Sequence, residues 1–167
     1  MDNFNVIVNG VGGQGVITLL SLIDEAALIE GFDIKSSELH GLSQRGGSVE
    51  THIRFGKKVY SPLIPSGQAD LIISLEMLEA LRETAKSGKQ TKFLVNEFIS
   101  PFIGGLTKED IKKQFNAVKN ELHFVSASEI CKDKLQNEVV STVYLLGYAV
   151  FKKLIPLKEE SVLGAIE

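Results

Sequence analysis

Hydrophobic positions along the chain change period repeatedly, and each change marks an element. Val6, Ile7 and Val8 form a short apolar run closed by Gly10, and from Val16 to Ile29 apolar residues recur at helical spacing. The pattern predicts a strand, a glycine turn and a helix, with Gly31 placed to end the helix and Phe32 to Ser37 forming a second strand. Val49, Thr51, Ile53 and Phe55 then alternate with Glu50, His52 and Arg54, the period-two signature of a half-buried strand. Gly56 and two lysines point to a turn into Val59–Tyr60, so this part reads as a hairpin or a sheet edge.

Farther on, Asp70 leads into the buried-strand pattern LIISLE, followed by a helix from Met77 to Ala85 that Ser87 and Gly88 stop. Lys92 to Asn96 reads as a core strand, Pro101 to Gly105 as loop, Thr107 to Val118 as a helix opening on early acids, and His123 to Val125 as a short strand. Two closing helices are expected, Ala127 to Leu135 and Val139 to Leu154, the second apolar over most of its surface. Strands alternating with helices predict an α/β protein: a three-layer α/β/α sandwich on a mostly parallel, mixed sheet. Its first βα unit is Rossmann-like, and the Val49 segment is its antiparallel member. No repeat or linker divides the chain, so residues 1–167 are expected to form one domain.

Composition narrows the function. A hydrophobic content of 44%, a charged content of 23% and a net charge of −3 fit a soluble protein with no electrostatic pull toward nucleic acid or anionic membrane. Cys131 is the only cysteine, which excludes an internal disulfide and an iron–sulfur cluster held on four thiolates of this chain. With neither a secretory pattern nor an apolar run of membrane-spanning length, a cytoplasmic location is expected. His40, His52 and His123 fall on different elements without metal-ligand spacing. No G-x-S-x-G elbow is present, and GKQT at 88–91 lacks the earlier glycine of a P-loop.

Two glycine-rich stretches carry the candidate chemistry. GVGGQG, residues 10–15, fits G-x-G-x-x-G after a strand and before a helix, where backbone amides present about half a positive charge to a phosphate or carboxylate. Gly10, Gly12, Gly13, Gln14 and Gly15 are therefore candidate binding residues. A dinucleotide site would add an acid near Glu38 for the ribose, yet there the chain runs into HGLSQRGGS, residues 40–48, instead of a short turn into a helix. In that second loop Arg45 can hold a carboxylate or phosphate bidentately, His40 and Gln44 add directional donors and acceptors, and Gly41, Gly46 and Gly47 permit close approach. Glu76, after LIISL, is expected either to face the same sheet edge, accepting from a ligand or from Arg45, or to favour the start of the following helix.

Taken in order, NVIVNGVGGQGV, SELHGLSQRGGSVETHIR, VYSPLIPSGQADLIISLEMLEALR and TVYLLGYA resemble the small subunit of 2-oxoacid:ferredoxin oxidoreductases, in look nearest to the beta subunit of the indolepyruvate branch. The resemblance implies an α/β/α domain that carries no cofactor alone. Thiamine diphosphate, magnesium and iron–sulfur clusters would sit on a large partner subunit, with coenzyme A at the interface and ferredoxin reached through the complex. The implied reaction is oxidative decarboxylation of an arylpyruvate, or of a pyruvate-type 2-oxoacid, to an acyl-CoA, with the isolated chain inactive. Met77 and Thr142 depart from the family pattern, standing where proline and asparagine are frequent. Two other readings compete: a stand-alone dinucleotide-binding oxidoreductase and a purely structural adaptor subunit.

Overall fold

The computed structural model describes residues 3–40, 46–100 and 106–167. Among them run β1 (Phe4–Val11), α1 (Val16–Ile29), β2 (Asp33–His40), β3 (Ser48–Gly56), β4 (Leu71–Ser74), α2 (Met77–Glu83) and β5 (Lys92–Asn96). They are followed by α3 (Lys108–Phe115), β6 (Glu121–Val125), α4 (Ala127–Leu135), α5 (Ser141–Phe151) and α6 (Glu159–Ile166). One sheet joins the strands in the order β2-β3-β1-β4-β5-β6. β1, β4, β5 and β6 are parallel, and β3 runs antiparallel between β1 and β2.

Alternation along the strands divides the core into two layers. Val6, Val8, Leu71, Ile73 and Leu94 bury one face against Leu19 and Ile23 of α1 and Leu145 and Leu146 of α5. Ile7, Ile72, Phe93 and Val95 bury the other against Met77 and Ala80 of α2 and Ile111 and Phe115 of α3. The three-layer α/β/α sandwich with a mixed sheet is therefore the architecture, and β3 is its antiparallel member. No helix among the described residues is long and apolar enough to cross a membrane.

Several element ends differ from the pattern-based reading. The hairpin is β2–β3, in register from Asp33↔Gly56 to His40↔Val49, so residues 41–47 are its connection. Val59–Tyr60 forms no strand: the Val59 amide donates to the Asp33 carboxylate (2.7 Å) and the Arg54 guanidinium to the carbonyls of Ser61 and Leu63. These polar anchors lay the segment over the sheet as irregular chain. A capping box between Thr107 and Asp110 starts α3 at Lys108, and the helix ends at Phe115, short of Val118. The Asn137 side chain caps a 3-10 turn, Glu138–Val140, which delays α5 to Ser141. α6 was not expected at all; its Val162 closes over the α1 face of the core.

Candidate functional site

The first glycine stretch and the described end of the second lie side by side at the carboxyl ends of the parallel strands. β3 leaves the second loop directly opposite the end of β1, pairing Ser48 with Val11 and Val49 with Gly10. Beyond the ladder, the Gly12 amide donates to the Gly47 carbonyl at 2.9 Å. His40 ends β2 at the same edge, opposite Val49. Gly41, Gln44 and Arg45 fall outside the described residues.

The first loop is folded by its own groups. Val11 donates its amide to Gln14 Oε1 (2.7 Å), and the Gln14 amide returns a bond to the Val11 carbonyl (3.1 Å). Gln14 thus knits the turn with its side chain. A Cβ on Gly10 would stand 2.8 Å from Gln14 Oε1 and 3.0 Å from Leu75 Cβ, so the loop can close on β4 only without one. Gly15 takes a φ of 89° as the N-cap of α1, leaves the helix without a side-chain cap, and sits against the Thr142 methyl. The opening amides of α1 have no acceptor within the helix, by helix geometry.

Glu76 is fully buried and occupied by backbone. Its Oε2 accepts from the Glu79 amide (2.8 Å) as the cap of α2, and its Oε1 accepts from the Ser100 amide (3.1 Å). It therefore ties the start of α2 to the chain after β5. Met77, next along, donates its amide to the Phe98 carbonyl at 2.9 Å, a bond that proline could not make.

A cavity of about 370 Å³ lies on the α1, α4 and α5 side of the strand tips, between the turn after β1 and the ends of β4 and β5. It sits beside the β1/β4 pair, whose following helices, α1 and α2, pass to opposite faces of the sheet. Such a switch point is where ligands enter open α/β sheets. The cavity is floored by Gly13 to Gly15 and Leu75, and walled by the first turns of α1, α4 and α5 through Thr18, Ser128, Ser141 and Thr142. Glu138 and Val139 stand at its lip. Asn96, buried at the tip of β5, positions the α4 wall: it donates to Ser128 Oγ (2.8 Å) and the Leu75 carbonyl (3.2 Å), and accepts from the Ser128 amide (3.2 Å). Apart from the single carboxylate of Glu138, the polar groups of the lining are hydroxyls and amides, which suit phosphate and amide groups rather than a metal ion.

Sequence reasoning missed Thr18, Asn96, Ser128, Ser141 and Thr142. A signal was present for two of them, since an asparagine closing an apolar strand and a serine opening a helix both belong at a sheet tip. It also placed Glu38 at the ribose position of a dinucleotide site, and the geometry moves Glu38 away from the end of β1. β3 intervenes between β1 and β2, and Glu38 pairs across from Thr51 on the outer strand, one strand spacing of about 4.8 Å farther away than a neighbour of β1 would stand. The adjacency that a dinucleotide fold uses is absent between these strands.

A second polar group lies on the opposite face, between β3 and α2. The Ile64 amide donates to His52 Nδ1 (2.9 Å), which puts the ring proton on Nε2, and Nε2 donates to Glu50 Oε1 (2.7 Å). Lys86 Nζ reaches Glu50 Oε2 at 2.5 Å and Glu83 at 3.3 Å. The His52 bond, helped by Lys86, lowers the Glu50 carboxyl to about 2, while burial raises that of Glu83. Nearer the loops, Ser48 and Arg82 both donate to the Glu79 carboxylate. These groups lock β3 to α2 and so hold the exit of the second loop. Among the described residues no cluster of His, Cys, Asp and Glu could hold a metal ion, and Cys131 is buried within α4.

Comparison with known proteins matches residues 5–167 to the family model described as pyruvate ferredoxin/flavodoxin oxidoreductase. The chain is 32% identical over 171 residues to indolepyruvate oxidoreductase subunit IorB of Methanothermobacter thermautotrophicus, covering 98% of this chain and 86% of that protein. It is 40% identical over 154 residues to the subunit of the same name from Archaeoglobus fulgidus, covering 86% and 76%. Among solved structures, the 2-oxoglutarate:ferredoxin oxidoreductase of Magnetococcus marinus with 2-oxoglutarate, coenzyme A and succinyl-CoA bound superposes with a TM-score of 0.71 at 15% identity. That match takes in 99% of this chain and 27% of the larger one, and at such identity it speaks for the fold alone.

Proposed function

This chain belongs to the pyruvate ferredoxin/flavodoxin oxidoreductase family, and from that membership we propose that it is the small subunit of a 2-oxoacid:ferredoxin oxidoreductase whose switch-point cavity receives coenzyme A. The substrate class is an arylpyruvate, as the names of the two relatives favour. The enzyme oxidatively decarboxylates the 2-oxoacid to an acyl-CoA and carbon dioxide, passing the electrons to ferredoxin.

The observation that carries this reading is the joining of the two glycine loops through Gly12 and Gly47, beside a cavity walled by the first turns of three helices. The residues fit coenzyme A: the uncapped start of α1 suits a phosphate, and the hydroxyls of Thr18, Ser128 and Ser141 suit the amides of the pantetheine arm. The second stretch supplies the remaining candidates: His40, Gly46 and Gly47 at the described ends of the hairpin connection, and Gly41, Gln44 and Arg45, outside the described residues, of which Arg45 has the chemistry of an anion anchor. The chain does not fit an iron–sulfur cluster, having one cysteine, nor the magnesium of thiamine diphosphate, having no group of acids and histidines among the described residues that could hold a metal ion. Those groups belong to a large partner subunit. The contribution of this chain is to bind and orient the acyl acceptor.

The test is steady-state assay of the assembled enzyme with Thr18→Glu, which sets an anion at the mouth of an anion site. A KM for coenzyme A raised about tenfold with kcat nearly unchanged is the expected result, since only binding is lost. Decarboxylation by the isolated chain, or an unmoved KM, would overturn the reading.

A further inference from the structure

Resting on that small-subunit reading, we infer that the outer stripe of α5 is the seat of the large partner subunit. Not one of the eleven residues of α5 is charged. Surface helices of globular proteins ordinarily carry a polar outer face, and a helix apolar all round belongs in a buried place. The inner side of α5 enters the core through Leu145, Leu146 and Ala149. Its outer side presents Tyr144, Gly147, Tyr148 and Phe151, which border an apolar groove of about 330 Å³. Phe151 is 80% exposed, and Val139, just before the helix, is 82% exposed. Leu135 at the end of α4 is exposed as well. Large apolar side chains left in water along a helix and at its start mark an interaction surface.

Charge identifies the occupant. The exposed charged residues of α4, α5 and their flanks in this quarter are Lys132, Lys134, Lys152 and Lys153 against Glu129, Asp133 and Glu138. Lys132 pairs with Glu138 (3.2 Å) and Lys108 with Glu129, which leaves Lys152 and Lys153 as the charges that follow the groove. Lys152 Nζ lies 5.9 Å and 5.8 Å from the ring centres of Tyr148 and Phe151, so the basic rim borders the groove itself. A second copy seated face to face would bring lysines against lysines. An apolar segment flanked by aspartate or glutamate is the complementary partner. Val139, exposed just ahead of α5, also lines the coenzyme cavity, so a partner that extends along the helix to its start closes one side of that cavity.

The experiment is co-expression with the large subunit of the same organism, followed by affinity capture, a titrated Kd and light scattering. Native chain should capture the large subunit. Tyr144→Ser with Phe151→Ser should weaken capture about a hundredfold while leaving thermal unfolding near native, as loss of central aromatic anchors does. Lys152→Glu with Lys153→Glu should weaken it about tenfold, more at low salt than at high. Leu163→Ser on α6 should change nothing. Native-like capture by both double variants would overturn the inference and leave the small-subunit reading standing. So would a stable homodimer of the native chain that Phe151→Ser dissolves. Failure of the native chain to capture the large subunit would sink the small-subunit reading first, and this inference with it.

Discussion

The amide of Gly12 donates to the carbonyl of Gly47 at 2.9 Å, which makes the two glycine stretches one backbone unit although 35 positions separate them in sequence. One consequence is chemical. The Gly12 amide is taken by the second loop, and those of Val11 and Gln14 are taken within the first, so the donors toward a ligand are the Gly13 and Gly15 amides and those of the first turn of α1. The loop builds the site by holding the helix start in place.

Gly15 is the point at which that helix start is most constrained. At φ 89° any side chain is strained, and an added Cβ would stand 3.0 Å from the Thr142 methyl. Gly15→Ala should lower stability by about 1–3 kcal/mol in urea denaturation. In a Thr142→Ala background the same change should cost about 0.5–1 kcal/mol less, because the steric part is gone and the backbone part remains. Strict additivity of the two substitutions would show that the methyl contact is without consequence.

Glu76 offers a sharper test, because both its oxygens accept from buried backbone. Glu76→Ala leaves the amides of Glu79 and Ser100 without acceptors and should cost about 2–4 kcal/mol. Glu76→Gln keeps one carbonyl oxygen and should recover part of that loss. Equal losses in the two variants would argue that the cavity left by the side chain, and not the hydrogen bonds, sets the cost.

The Glu50 and Glu83 carboxyls predict opposite pH trends. The depressed Glu50 group adds stability that is fully present above its ordinary value of 4.5 and is lost as pH falls from there through about 2. The raised Glu83 group acts in the other sense: it holds its proton better in the fold, so stability declines as pH rises from 4.5 through its elevated value. Glu50→Gln should cost about 1–2 kcal/mol at neutral pH after allowance for solvent screening, and should flatten the acid limb. Glu83→Gln should flatten the rise-of-pH limb and leave the acid one. Unfolding midpoints measured from pH 2 to pH 8 decide both.

Much of this architecture was legible from hydrophobic period alone. α1 and α4 begin and end where the periodicity places them, and the strand around Val49 is the antiparallel one. Those elements have a single strong signal. What the pattern could not supply is pairing. Val59–Tyr60 carries the same apolar and aromatic residues as a strand, but Asp33 and Arg54 claim its backbone groups, and β2 takes the place beside β3. The second loop thereby became a hairpin connection, and Glu38 moved away from β1. α6 was lost because EESVLGAI is short and its acids mask the apolar positions. The walls of the cavity come from Asn96, Ser128 and Thr142, ordinary residues whose significance arises only when three helix starts meet at the strand tips.

Far from the cavity, Gly88 and Gly67 meet backbone to backbone. A Cβ on Gly88 would lie 2.1 Å from the Gly67 carbonyl oxygen, so one segment must retreat if any side chain is added. Neither is free to do so. The Gly88 amide donates to Thr91 Oγ1 (2.8 Å), the Asn120 side chain donates to the Gly88 carbonyl (2.8 Å), and the Gly67 amide donates to the Lys86 carbonyl (2.7 Å). Gly88→Ala should therefore cost about 2–4 kcal/mol, a drop in Tm of about 5–15 °C for a chain of this size. Gly147→Ala is the matched control, because its Cβ meets nothing within 4 Å and it lies inside α5. That change should raise stability of the isolated chain by about 0.5–1 kcal/mol. Calorimetry on the two variants separates collision from helix propensity, and an unchanged Tm for Gly88→Ala would mean that the two segments can part without loss.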